Sequence, residues 1–424
     1  MAREIILQKL PVGWSYNLLD NIAERCSGHT PSKSFPEYWN GGIKWISLAD
    51  SCRLDKGYVY ETDKEISLEG IKNSSAEVHP AETVVLSRDA GVGKSGVMAT
   101  PMAVSQHFIA WKCDNKEKLH SWYLYNWLQL NKEEFERQAV GSTIKTIGLP
   151  YFKKLRIAVP PFGEQKKIAQ ILSTWDKAIS VTEKLLTNSQ QQKKALMQQL
   201  LTGKKRLLDE NGVRFSGEWE YTIFGNLGDT YTGLTGKTKE DFGAGKPYIP
   251  YINIFKNSRI DIQNLEYVQV NDDERQSVVK YGDIFFTTSS ETPEEVGMSS
   301  VLLEEVSEVF LNSFCFGFRL NNFETLIPKY ARYLFRSEHV RRQISTLGQG
   351  ATRYNLSKRQ LIKLELKLPC VEEQQKIAAV LSAADAEIST LEKKLACLRD
   401  EKKALMQQLL TGKRRVKVDE AVAE

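Results

Sequence analysis

Residues suited to chemistry are sparse in this chain. The five histidines, His29, His79, His107, His120 and His339, are dispersed and match no H-E-x-x-H or other metal-ligand spacing. The six cysteines, Cys26, Cys52, Cys113, Cys315, Cys370 and Cys397, lie far apart with no C-x-x-C. That argues against a disulfide framework or structural zinc and for a reducing, cytoplasmic setting. No G-x-S-x-G nucleophile elbow appears. No apolar run approaches the roughly 20 residues of a membrane span. The opening residues, with Arg3 and Glu4, hold no apolar signal segment. One-sided charge is missing too: 58 Lys and Arg against 53 Asp and Glu leave a net +5, which permits a polyanion partner without demanding one.

Two stretches imitate catalytic motifs and fail on a residue each. Gly91-Val92-Gly93-Lys94-Ser95 has the look of a phosphate loop, but Arg88 stands where the first glycine belongs. Pro101 soon follows, so no helix N-terminus is offered to a phosphate. A flexible Gly-rich hairpin loop is the plainer reading. Pro160-Pro161-Phe162 resembles the Asn/Asp-Pro-Pro-aromatic motif of amino-methyltransferases, but the preceding Val159 has no acceptor for the target amine. Prolines at a helix entry explain it better.

What the chain has is a repeat. KKALMQQLLTGK occupies residues 193–204 and again 402–413, and the match extends upstream at a constant offset of 209: Glu164-Gln165 with Glu373-Gln374, Leu172-Ser173 with Leu381-Ser382, Asp176 with Asp385. Such a repeat governs the architecture. In the second copy the 4-3-4-3 ladder Ile377, Leu381, Ala384, Ile388, Leu391, Leu395, Leu398, Lys402, Leu405, Leu409 is apolar at nine of ten positions. The first copy, Ile168, Leu172, Trp175, Ile179, Thr182, Leu186, Ser189, Lys193, Leu196, Leu200, is apolar at seven. A sustained 3.5-residue seam predicts two long helices, each roughly 55–60 Å, paired with one another as a coiled coil or packed on their own domains. Gly203 and Gly412 are their expected stops.

Each helix closes a globular half. In the first, strands are expected at Ile43–Leu48, Thr83–Ser87, His107–Lys112 and Lys153–Val159, with one helical stretch from Glu117 to Gln138. The second repeats the layout: Trp219 and Tyr221 echo Trp14 and Tyr16, residues 104–112 align with 311–319, and Gly141-Ser142-Thr143 aligns with Gly350-Ala351-Thr352. The expectation is an α+β fold of mixed, curled sheets: globular domains at 1–160 and 208–369, helices at 161–207 and 370–415, and a disordered tail at 416–424.

Pro-Pro-Phe-Gly-Glu-Gln-Lys-Lys-Ile-Ala, then Ala-Leu-Met-Gln-Gln-Leu-Leu-Thr-Gly-Lys, duplicated with a variable domain before each copy, resembles the specificity subunit of type I restriction-modification systems. The second copy departs with Pro-Cys-Val-Glu-Glu-Gln but keeps Glu-Gln and Ile-Ala. The resemblance implies two target recognition domains, each reading one half of a bipartite site in double-stranded DNA. It implies helices, running antiparallel, that set the spacer and dock two copies of a methyltransferase subunit, with Ile168, Leu172, Ile179, Leu196, Leu200, Ile377, Leu381, Ile388, Leu405 and Leu409 as the helix and subunit interface. It implies a restriction translocase and nuclease partner, and no catalysis here. S-adenosylmethionine would belong to the methyltransferase, ATP and Mg to the restriction partner, and no cofactor to this chain. Candidate DNA contacts are Arg88 and Lys94 in the first half, Lys237 and Lys239 in the second, and Lys145, Arg353 and Tyr354 in the shared G-(S/A)-T loop. Two other readings stay open: a coiled-coil adaptor without DNA specificity, and a free-standing enzyme with degenerate motifs.

Overall fold

A computed structural model describes residues 10–113, 117–350 and 353–418. Arg3, Glu4, Ala351, Thr352 and residues 419–424 of the expected tail lie outside them. The chain forms two compact units: Met1–Glu183 together with Lys393–Glu424, and Lys184–Glu392. The cuts fall inside the two long helices, so each unit holds half of both segments expected as spacers.

In the first unit, Glu24–Ser27, Phe108–Lys112, Val84–Ser87 and Ser95–Met98 form an antiparallel sheet, with Tyr58–Val59 added parallel at the edge. A smaller sheet pairs Trp39–Ile46 antiparallel with Lys64–Ile66 and parallel with Ala103–Val104. The α+β expectation holds, and the four expected strands appear with shifted ends. The helical stretch breaks at Asn131 into Ser121–Leu130 and Lys132–Gln138. Ser95–Met98 is buried throughout, so it carries no alternation for a sequence reading to find.

The second unit repeats this plan with Gly228–Thr232, Cys315–Leu320, Ile284–Thr287 and Ser299–Val301 in one antiparallel sheet, and Phe242–Ile249 between Glu266–Val268 and Phe310–Leu311 in another. In each unit a two-stranded ribbon, Ser15–Leu18 with Arg156–Val159 or Glu220–Ile223 with Glu365–Leu368, leads the chain into a long helix.

Both long helices run 39 residues, Phe162–Leu200 and Val371–Leu409, or about 58 Å at 1.5 Å per residue. Every position of both ladders is buried or half-buried. Within the first unit the two helices are antiparallel: Trp175 donates to Glu401 at 3.3 Å, Lys402 reaches Asp176 at 2.5 Å and Arg399 reaches Glu183 at 2.7 Å. Within the second, Ser189 donates to Glu387 at 3.0 Å and Lys193 meets Asp385 at 2.5 Å, in the same sense. Lys193–Asp385 and Lys402–Asp176 are one ion pair made twice, at the repeat offset. Polar residues in the ladder are satisfied, since Thr182 donates to Ala178 O at 2.8 Å and Ser189 has its glutamate. The ends of the helices serve the domain cores: Ile168, Leu172, Met406 and Leu409 in the first unit, Leu200, Ile377 and Leu381 in the second. The two readings of the seam therefore describe different stretches of the same helices.

The helix ends repeat in detail. Gln165 accepts from His120 N and donates to the carbonyls of Lys118 and Pro160; Gln374 does the same with Ile327, Thr325 and Pro369. Gly203 and Gly412 both take φ +72, the left-handed conformation that ends a helix. A Cβ on Gly412 would sit 2.4 Å from Pro11, so only glycine fits there. Val416 packs against the first unit's core.

His79 is wholly buried, and among the described residues neither ring nitrogen has a hydrogen-bond partner. Burial lowers its pKa below the ordinary 6.5, as it does for His120. An unfolded chain takes up a proton near pH 6.5 that the folded chain refuses. Stability is therefore full above about pH 6.5 and lost as pH falls toward the folded value. Urea unfolding of the first unit should shift to lower concentration between pH 7 and pH 5, and His79→Leu should flatten that slope. An unaltered slope in the variant would show that His79 does not drive it.

Candidate nucleic-acid interface

In each unit three loops meet at one end of the larger sheet. In the first, the strand Val84–Ser87 runs into Arg88. Arg88 N donates to His107 O at 2.9 Å, and Ile147 N donates to Arg88 O at 2.9 Å. Asp89 bridges to Thr146, which also pairs with Val140 to close the G-S-T hairpin. In the second unit, Thr288 N donates to Phe314 O at 3.0 Å and Leu356 N donates to Thr288 O at 2.8 Å. Ser289 pairs with Asn355, and Gln349 with Asn355. The backbone frame is thus built twice. Gly141 and Gly350 explain the shared glycine: at φ +132 and +137, an added Cβ would lie 2.2 Å from Ile144 O and 2.0 Å from Arg353 O.

The side chains on this frame differ. The first unit presents Arg88, Asp89, His107, Ile144 and Lys145; the second presents Thr288, Ser289, Phe314, Arg353 and Tyr354. Arg88 lies 3.7 Å from the Asp89 carboxylate, and Asp89 also holds His107 Nδ1 at 2.8 Å. Ile144 and Lys145 are exposed at the hairpin tip. In the second unit Arg353 and Phe314 flank a groove floored by Tyr251 and Phe255, whose rings stack at 5.8 Å, and edged by Ser289 and Glu291.

Two half-buried arginines brace the backbone around that groove. Arg336 donates to the carbonyls of Ile254, Phe255, Asn257 and Ser299 at 2.7–3.1 Å. Arg341 donates to those of Glu294, Val296 and Gly297 at 2.5–2.9 Å. Burial brings both guanidinium groups down to about 10, with each keeping its proton at neutral pH. Lys132, at the position of Arg341 one repeat earlier, instead pairs with Asp55 at 2.7 Å.

The structure brings Arg88 and Lys145 to one cluster, and Arg353 and Tyr354 to the other. The remaining candidates stand differently. Lys94 turns inward, donating to Ser51 Oγ at 2.8 Å and Ser51 O at 3.2 Å. Its loop joins the paired strands Val84–Ser87 and Ser95–Met98, a hairpin as read from the sequence. Lys237, with its side chain 5% exposed, is spent on Glu274 at 2.6 Å. That bond, with others from Gln276 and Asn271 N, holds the Glu274 carboxyl down to about 2. Lys239 is exposed, in a short turn capped by Thr238 and Asp241. Asp89 and His107 lie in the first cluster and Tyr251, Phe255 and Phe314 in the second, and none of the five is a candidate from the sequence. The alignment of residues 104–112 with 311–319 already set His107 opposite Phe314, and that was the available signal. Among the described residues no group of three His, Cys, Asp or Glu could hold a metal, and no helix is long and apolar enough to cross a membrane.

Known proteins share this architecture. The specificity subunit of the MjaVIII type I restriction enzyme of Methanocaldococcus jannaschii is 25% identical over 390 residues, covering 85% of this chain and 87% of the relative. That of EcoKI from Escherichia coli is 22% identical over 410 residues, covering 91% and 85%. The crystal structure of the S subunit from M. genitalium superposes with a TM-score of 0.56 at 15% identity, covering 95% of this chain and 96% of that one. The model of the type I restriction modification DNA specificity domain matches twice, over residues 11–188 and 217–398, so the two halves found by internal repeat are two copies of that domain and the chain belongs to the type I restriction-modification DNA specificity family.

Proposed function

We propose that this chain, a DNA-specificity subunit, reads a bipartite site in double-stranded DNA, one half with each globular unit, and is itself catalytically silent. One observation carries the reading: a single backbone frame is built twice, and the side chains it presents are different. Phosphate contacts position a protein, while a few base-edge contacts specify sequence, so changing a handful of loop residues on a fixed frame is enough to change the half-site. The paired helices would set the spacing of the half-sites and offer two similar surfaces to two methyltransferase subunits. S-adenosylmethionine would be held by those subunits, and ATP with Mg by the restriction subunit. The inward-turned Lys94 supports this division, because the one loop resembling a nucleotide site has its lysine engaged elsewhere.

Labelled S-adenosylmethionine and DNA incubated with the chain alone should yield no methylated DNA. Adding the methyltransferase subunit should give methylation at one bipartite sequence. Transfer before the addition would establish a free-standing enzyme, and methylation without sequence preference would establish a mere adaptor.

A further inference from the structure

Phe314 is 60% exposed, yet three hydrogen bonds hold its backbone. Its N–H donates to Asn312 Oδ1 at 2.8 Å, and its carbonyl accepts from both Thr288 N at 3.0 Å and Thr288 Oγ1 at 2.7 Å. A large apolar ring is thus held out to solvent at the tip of a rigid turn, beside the exposed Arg353 and over the Tyr251–Phe255 floor. The first unit puts His107 at this same place. Its carbonyl accepts from Arg88 N as that of Phe314 accepts from Thr288 N, and its side chain remains 35% exposed. The Asp89 carboxylate can only accept from Nδ1, so His107 Nδ1 carries the hydrogen and Nε2 is left for an outside partner, with Gln106 at 3.5 Å.

Resting on the reading of one half-site per unit, we infer that positions 107 and 314 are paired base-contacting positions, His107 hydrogen-bonding to a base edge and Phe314 packing on the 5-methyl group of a thymine. A phenyl ring gains nothing from a phosphate. On the major-groove face of duplex DNA the apolar group available to it is the thymine methyl, while the bare Nε2 of His107 can accept from an exocyclic amine, adenine N6 or cytosine N4. Because the turn is already ordered, little conformational freedom is left to lose when the ring docks.

The test uses the full chain assembled with its methyltransferase subunit and synthetic duplexes covering every single-base change in both half-sites. Phe314→Ala should lose about tenfold discrimination at one position, in the half-site read by the second unit alone. His107→Ala should do the same in the other half. Replacing the thymine at the Phe314 position by deoxyuridine removes only the methyl, and it should cost the unaltered complex about tenfold and the Phe314→Ala complex nothing further. Phe314→Ala should keep the thermal midpoint of the parent, as Phe314→Leu should; His107→Ala also releases the Asp89 carboxylate, so its discrimination is read at a temperature where the variant is fully folded. Unchanged discrimination, an equal loss on all sequences, effects in both halves, or indifference to the methyl would overturn the inference. Exchange of the whole first unit separates the two levels. If the exchange alters one half-site and Phe314→Ala alters nothing, the inference fails alone. If the parent complex shows no half-sites, the reading beneath it fails as well.

Discussion

Arg206→Ala should destabilise the second unit by about 3–5 kcal/mol, the usual cost of stranding one member of a buried ion pair. Its partner Glu373 is wholly buried in the first turn of the second long helix. Arg206 Nε and Nη2 each donate to it at 2.6 Å, and Trp219 Nε1 adds a third bond at 3.3 Å. Removing the guanidinium leaves a carboxylate in an apolar site with one long hydrogen bond. The repeat supplies an internal control. Arg415 grips Glu164 with two bonds of 2.8 Å, but its side chain is 43% exposed, against 20% for Arg206. Water can take over more of the work there, so Arg415→Ala should cost distinctly less. Replacing the pair together, Arg206→Met with Glu373→Leu, should recover most of the loss, because two charges no longer need company. Urea denaturation monitored by tryptophan fluorescence reads all three. A loss below about 1 kcal/mol for Arg206→Ala would mean that solvent reaches Glu373 freely.

Exchanging residues 12–155 for the matching segment of a relative with another specificity should change one half of the methylated site completely and leave the other half untouched. The exchange replaces the loops carrying Arg88, His107 and Lys145 and keeps both long helices. The joint is feasible because the helix face met by the new domain, Ile168, Leu172, Met406 and Leu409, is drawn from the repeated segments. Specific sites are typically preferred by about a thousandfold or more over others, so the preference should move to the new sequence rather than blur. Genome-wide methylation in cells carrying the exchange is the readout. Change in both halves, or in neither, would mean that the units do not read independently.

The repeat made the helices legible. Ladder positions as unlike as Trp175, Thr182 and Lys193 all fall on the covered face, because the 3.5-residue spacing, not the residue type, fixes the face. The fate of individual lysines was not legible. Lys94 and Lys237 look like Lys145 and Lys239 in a sequence, and what distinguishes them is a partner 43 or 37 residues away. Pairing at that range depends on which loops the sheet brings together. Asp89 and His107 were hidden for the same reason: their contact spans two strands, and the polar residues of a shared turn announce themselves only when the turn is closed.

The second unit is one unbroken stretch, Lys184–Glu392, while the first is closed by residues from both sides of it. On a ribosome this sets an order. Ile168 and Leu172 emerge long before Met406, Leu409 and Leu410, the side chains that cover them, and Glu164 waits for an arginine 251 residues later. At roughly 5–20 residues per second, the stretch between them delays completion by roughly 10–50 s. The later-made unit can therefore finish first, and the earlier one spends that interval with an apolar helix face uncovered, which makes the nascent chain, rather than the finished protein, the form most exposed to aggregation and to chaperones.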